Sequence, residues 1–162
     1  MLTKIQDSYK KLIESKEFKH EGFFCGAFIL CDLEDLDKSD WQIDFYNKNT
    51  DTITTYVVST TIEVTDNSEV FKEENTRIEE LKLNDIKVDL NDLKNKLQEI
   101  LDTRQETPVK ITIILQHIKI PMWNIIYITK KFNLLNIKID ARDGKVIEEK
   151  IVPLLSFEKG NK

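Results

Sequence analysis

The run Ile111-Thr-Ile-Ile-Leu-Gln-His-Ile118 constrains the fold of this chain more than any other feature. At the two-residue period of a strand, Ile111, Ile113, Leu115 and His117 share one face, and Thr112, Ile114, Gln116 and Ile118 share the other. Branched apolar side chains on both faces belong in the middle of a sheet, not at its edge. The rest of the chain can supply such a sheet. Ile, Leu, Val and Phe make up 53 of its 162 residues, enough for a packed core. Alanine occurs only at Ala27 and Ala141 while isoleucine occurs 21 times, a balance that favours sheet over helix.

The segments before this strand read as a helix and several strands. Ile5, Tyr9, Leu12 and Ile13 recur at helical spacing behind a Thr3/Gln6 capping pair, with Lys16, Lys19 and His20 expected in the last turn and Gly22 ending it. Phe23 to Leu33 is an apolar strand interrupted by Gly26, which marks a bulge or a close backbone approach. Asp32 to Asp40 is an exposed acidic connection. Trp41, Ile43 and Phe45 alternate with polar neighbours, and 52–60 returns as the partner strand, which 61–65 could extend. Residues 66–85 form a connection with one short helix.

Asp89 is a good N-cap with Asp92 three residues on, and Leu90, Leu93, Leu97, Ile100 and Leu101 form one helical stripe. Thr107-Pro108 stops that helix. The central strand follows, then strands over 122–129, 134–140 and 146–152, with a turn at Ala141-Arg-Asp-Gly144. Each half therefore reads as a helix, a long apolar strand, a Trp-led strand and its hairpin partner. Trp41 and Trp123 are 82 apart, and the helix starts near 3 and 89 are 86 apart, as in a two-copy repeat. The organisation expected is a first unit over 1–66, a connection over 67–85, a second unit over 86–157 and a tail over 158–162.

The stretch Trp123-Asn-Ile-Ile-Tyr127, followed by Ile137-Lys-Ile-Asp140-Ala-Arg-Asp143-Gly144-Lys-Val146, resembles the PepSY domain, whose hairpin is written V-x-V-D-A-x-T-G-x-V. Asp143 stands where that family has Thr. The resemblance covers roughly 86–152 and more loosely 1–60. It implies an α+β fold of two PepSY-like or cystatin-like units, each a helix packed on an antiparallel sheet, and a role in binding or restraining peptidases.

Charge and composition exclude several function classes. The net charge is −5, and Lys outnumbers Arg 21 to 3, with no basic stripe suited to a nucleic acid. No segment is apolar enough for a membrane helix, and the first residues lack the apolar stretch of an export signal, so the chain is expected in the cytoplasm. Four glycines leave no phosphate-cradling loop, and no His or Cys spacing suits a local zinc site. Cys25 and Cys31, six apart on one strand, are expected on one face as structural thiols too distant to pair. Asp32, Glu34, Asp35 and Asp37 read as a solvated loop. No cofactor, metal site or catalytic residue is expected.

The candidate binding residues are Trp41, Phe45, His117, Trp123 and Tyr127. The four aromatics either pack as core under the helices or line a sheet face that receives another protein's anchor residue. The reading is a non-catalytic binding or regulatory module whose partner is another protein or a second copy. The alternative is a small-ligand protein or enzyme with a pocket between helix and sheet, His117 and Tyr127 being its polar groups.

Overall fold

In a computed structural model, which describes residues 2–69 and 77–155, the chain is α+β with one antiparallel sheet. The elements are α1 (Leu2–Ile13), β1 (Phe23–Asp32), β2 (Gln42–Asn47), β3 (Thr52–Val58), β4 (Ile62–Glu69), α2 (Lys94–Arg104), β5 (Pro108–Ile118), β6 (Ile120–Thr129), β7 (Asn133–Asp140) and β8 (Val146–Pro153). The eight strands lie in the order β4-β3-β2-β1-β5-β6-β7-β8. The apolar run at 111–118 is central, as its two-faced pattern requires: β5 pairs with β1 on one side and β6 on the other. The β1–β5 pairing, Ala27 opposite Leu115 and Ile29 opposite Ile113, joins both halves in one continuous sheet.

One face of that sheet carries Ala27, Ile29, Ile43, Phe45, Ile111, Ile113, Leu115, Trp123, Ile125, Leu135 and Ile137, all buried. Ile5 and Leu12 of α1 and Leu97 and Leu101 of α2 complete the same core. Burial at these positions is what holds two short helices in place, since helices of this length are marginal alone. The opposite face, read from the same register, carries Phe28, Leu30, Thr112, Ile114 and Ile126, and Leu30 is 64% exposed. Among the described residues no helix is long and apolar enough to cross a membrane.

Several local expectations change. Helix α1 stops at Ile13, so Lys16, Lys19 and His20 are not in its last turn; His20 and Gly22 instead have left-handed backbone in an irregular link. The link is pulled down because Phe18 packs edge-on against Phe45, 4.9 Å between ring centres, and Tyr56 Oη accepts from the Lys19 amide. Residues 62–69 are not an extension of β3 but a separate strand, turned back on it through Ser59 and Thr61. The end of α2 is set by Gln105 in the left-handed region, ahead of Pro108. A bulge between Phe24 and Gly26 takes Cys25 off the face that Cys31 shares with Ile29; Phe24 enters the core instead. Both cysteines are free. At Gly26 a Cβ would lie 3.2 Å from the Leu115 oxygen, the close approach expected there.

Other features follow the sequence closely. Asp89 accepts from the Asn91 amide, and Asp92 accepts from the Asp89 amide, closing a capping box before α2. At the β7–β8 turn, Gly144 takes φ +81°, its amide donates to the Asp140 oxygen, and Arg142 forks onto the Asp140 carboxylate. That contact holds the Asp140 carboxyl below its ordinary range. Residues 70–76 of the expected connection, and the tail from 156, lie outside the described residues.

Candidate functional site

The five candidate residues do not converge. Trp41 and Trp123 are fully enclosed, and Phe45 and Tyr127 are about as buried, all four on the helix-covered face. They are core, and none presents its ring on the sheet's open face. Trp123 Nε1 donates to the Val88 oxygen at 2.8 Å, while Trp41 Nε1 is buried without a described partner. Burial pushes the Tyr127 phenol up to about 12, so it stays protonated beside a cavity of about 260 Å³ walled by Leu90, Leu97, Leu101, Ile111 and Ile125.

His117 sits at the other end of the same strand face. Register places His117 opposite Pro121 and Tyr127 opposite Ile111, six positions away along β5. At about 3.3 Å per residue that is about 20 Å, too far for one small pocket to use both groups. His117 Nδ1 instead bonds the Glu79 carboxylate, which also accepts from the Lys119 amide at 3.1 Å. Glu79 thereby fastens the segment before α2 to the β5–β6 turn, where Lys119 has left-handed backbone. Among the described contacts His117 is bonded to Glu79 and to no cysteine, serine or threonine.

A larger cavity lies elsewhere, between α1, the link after it, the start of β1 and residues 80–84. Its volume is about 740 Å³, within the range of known binding clefts. Phe45 forms its floor together with Tyr9, Phe18 and Phe24; ring centres of Tyr9 and Phe24 are 5.1 Å apart, and those of Tyr9 and Phe45 6.2 Å. Such tilted and stacked contacts give a stiff aromatic wall. Gln6, His20, Glu80 and Asn84 supply polar atoms at the rim. Burial and the neighbouring Glu80 both raise the Tyr9 phenol, keeping its O–H available as a donor. The far side is closed by Leu81, whose amide donates to the Phe24 oxygen at 2.8 Å.

Of the candidates only Phe45 lines this groove. Tyr9, Phe18, Phe24 and His20 were not candidates, because they come from separate segments and only the folded packing assembles them. One signal was present in the sequence: Tyr9 belongs to the helical stripe, yet its hydroxyl has to reach a polar rim.

The carboxylates of Asp32, Glu34 and Asp35 come together at the end of β1, all three exposed, and Asp32 also pairs with Lys110 at 3.1 Å. This is the solvated acidic connection expected there.

Comparison with known protein families, curated proteins and solved structures found no match to this chain.

Proposed function

We propose that the chain is a non-catalytic protein-binding module of the cytoplasm, and that its aromatic groove receives an apolar anchor side chain from an extended segment of the partner. The observation that carries this reading is the groove itself: about 740 Å³, lined by Tyr9, Phe18, Phe24 and Phe45 on one side and by the exposed polar side chains of Gln6, His20, Glu80, Lys82 and Asn84 on the other. Rigid aromatic walls around an open slot suit a side chain that is desolvated on docking and fixed by rim hydrogen bonds. The PepSY resemblance adds a peptidase-related partner as the first class to examine.

The two-unit organisation belongs to the same reading. Ala27 pairs with Ile43 in the first half and Ile113 with Ile125 in the second. The β1 and β5 members are 86 apart, the β2 and β6 members 82 apart, and a tryptophan precedes Ile43 and Ile125 by two residues. The tryptophans share the spacing of 82, whereas α1 and α2 begin 92 apart. The strand and tryptophan spacings support a duplicated helix-plus-four-strand unit whose copies meet through β1 and β5.

A second reading, a carrier of a small apolar ligand, is favoured by the cavity beside Tyr127 rather than by His117.

The test compares the wild type with Gln6→Trp, an exposed position on the groove lip that a large ring would occlude. A stoichiometric partner co-purifying with the wild type and lost with the folded variant is expected. The same companions on both proteins would overturn the groove as the binding site.

A further inference from the structure

We infer that β8 is a self-complementary edge through which two copies of this chain pair, antiparallel about a two-fold axis centred on Glu149. Strand β8 is the last in the sheet, and no described strand lies beyond it. Its sequence is Val146-Ile-Glu-Glu-Lys-Ile-Val152. Read in either direction it begins Val-Ile and ends Ile-Val, and the mirrored positions beside the centre hold opposite charges, Glu148 and Lys150. An antiparallel copy centred on Glu149 therefore sets Ile147 against Ile151 and Glu148 against Lys150, each pairing occurring twice.

The backbone geometry fits this register. The Leu154 amide donates to the Phe132 oxygen, and the pairs Val152–Leu134, Lys150–Asn136 and Glu148–Lys138 continue that alternation along the strand. Hydrogen-bonded pairs recur every second residue in an antiparallel ladder, so Glu148, Lys150 and Val152 direct their amides and carbonyls at β7. Glu149 and Ile151 direct theirs outward. Centring on Glu149 makes 149–149 the hydrogen-bonded pair at the axis and turns the outward groups of Ile151 toward Ile147, where the bulge ends the alternation. Glu148 and Lys150 then fall at the non-hydrogen-bonded sites, where facing side chains come closest.

The like charges at the centre are already answered within each copy. Arg104 of α2 donates to the Glu149 carboxylate at 2.9 Å, so the axis carries two arginines with two glutamates. Glu148 has Lys138 beside it at 3.0 Å and would stand between that lysine and the partner copy's Lys150. Ile147 is 47% exposed and gains a facing Ile151. A bulge at Ile147, between the pairs at Lys138 and Ile139, and Pro153 at the other end bound the ladder. The contact is isologous and uses up the edge, so it closes at two copies and does not propagate. It lies at the far end of the sheet from the aromatic groove, so failure of either proposal leaves the other standing.

The experiment is sedimentation of the full chain up to about 1 mM, beside Lys150→Glu and the double variant Glu148→Lys with Lys150→Glu, circular dichroism confirming that each folds. A concentration-dependent dimer is expected, weakened about tenfold or more by Lys150→Glu and recovered by the charge swap. Amide exchange of Glu149 and Ile151 should slow with concentration, since these are the outward donors. A monomer throughout, a dimer indifferent to Lys150→Glu, a swap that restores nothing, or no added protection at those two amides overturns the inference.

Discussion

Trp123 Nε1 donates to the backbone oxygen of Val88 at 2.8 Å, tying the segment ahead of α2 to the centre of the sheet, whereas the matching Trp41 Nε1 has no described partner. Two fully buried indoles thus differ by one hydrogen bond. Replacing either by Phe removes similar volume, but Trp123→Phe also orphans the Val88 carbonyl. Trp41→Phe removes an unpaired donor. Trp123→Phe is expected to cost about 1–2 kcal/mol more than Trp41→Phe in denaturant unfolding. Equal costs would mean that the Val88 bond does not stabilise the fold.

Gly22 has φ +76°, and a Cβ there would meet the Tyr46 carbonyl oxygen at 2.2 Å. Both the left-handed backbone and the end of β2 exclude a side chain. Gly22→Ala is expected to destabilise by about 2–4 kcal/mol, combining left-handed strain with overpacking against main chain. Because Gly22 lines the groove, thermal unfolding is the cleaner readout than binding. An unchanged Tm would contradict the close approach.

Asp44 lies on the sheet face away from the helices, opposite Gly26, and accepts from Thr55 Oγ1 at 2.6 Å. Burial raises its carboxyl to about 6, with the Thr55 bond opposing. The folded state therefore binds more protons than the unfolded chain between about pH 4 and 6. Stability from this group is full below that window and is lost as pH rises through it. Asp44→Asn, which still accepts from Thr55, is expected to be more stable than the wild type at pH 7, by up to about 2 kcal/mol, with the gap closing below about pH 4. Urea unfolding of both proteins at several pH values measures it; a gap that is flat with pH would contradict the raised carboxyl.

Strand β2 was legible because one face is buried and the other polar, and β5 because its apolar side chains fall on both faces, as a central strand requires. Asp89 and Asp92 were legible because a capping box is local. The end of α1 was not: Ile13 continues the stripe, and only the distant Phe45 and Tyr56 draw Phe18 down and end the helix. Strand β4 offers alternation at Ile62 and Val64 alone, too little to separate it from β3. Cys25 was misplaced because one extra residue in β1 reverses the facing of everything before it. His117 and Tyr127, expected in one pocket, do share a face of the sheet, but the turn at Lys119 fixes a register that sends them to opposite ends. The groove draws on α1, the link, β1, β2 and residues 80–84, and no periodicity connects those five segments.

Glu79 should matter to that groove although it does not line it. Its bonds to His117 and the Lys119 amide anchor the segment that carries Glu80 to Asn84. Glu79→Ala is expected to speed amide exchange at Leu81, whose amide bonds Phe24, with little change at β6 or β7. Unchanged exchange at Leu81 would show that Leu81 burial alone holds the segment.

The most direct test of the binding reading is amide exchange of the chain alone and with its co-purified partner. Protection is expected at Tyr9, at 18–24 and at 80–84, the three stretches that surround the groove. Protection confined to the open sheet face around Leu30, or none in those stretches, would contradict the groove as the place where this protein meets its partner.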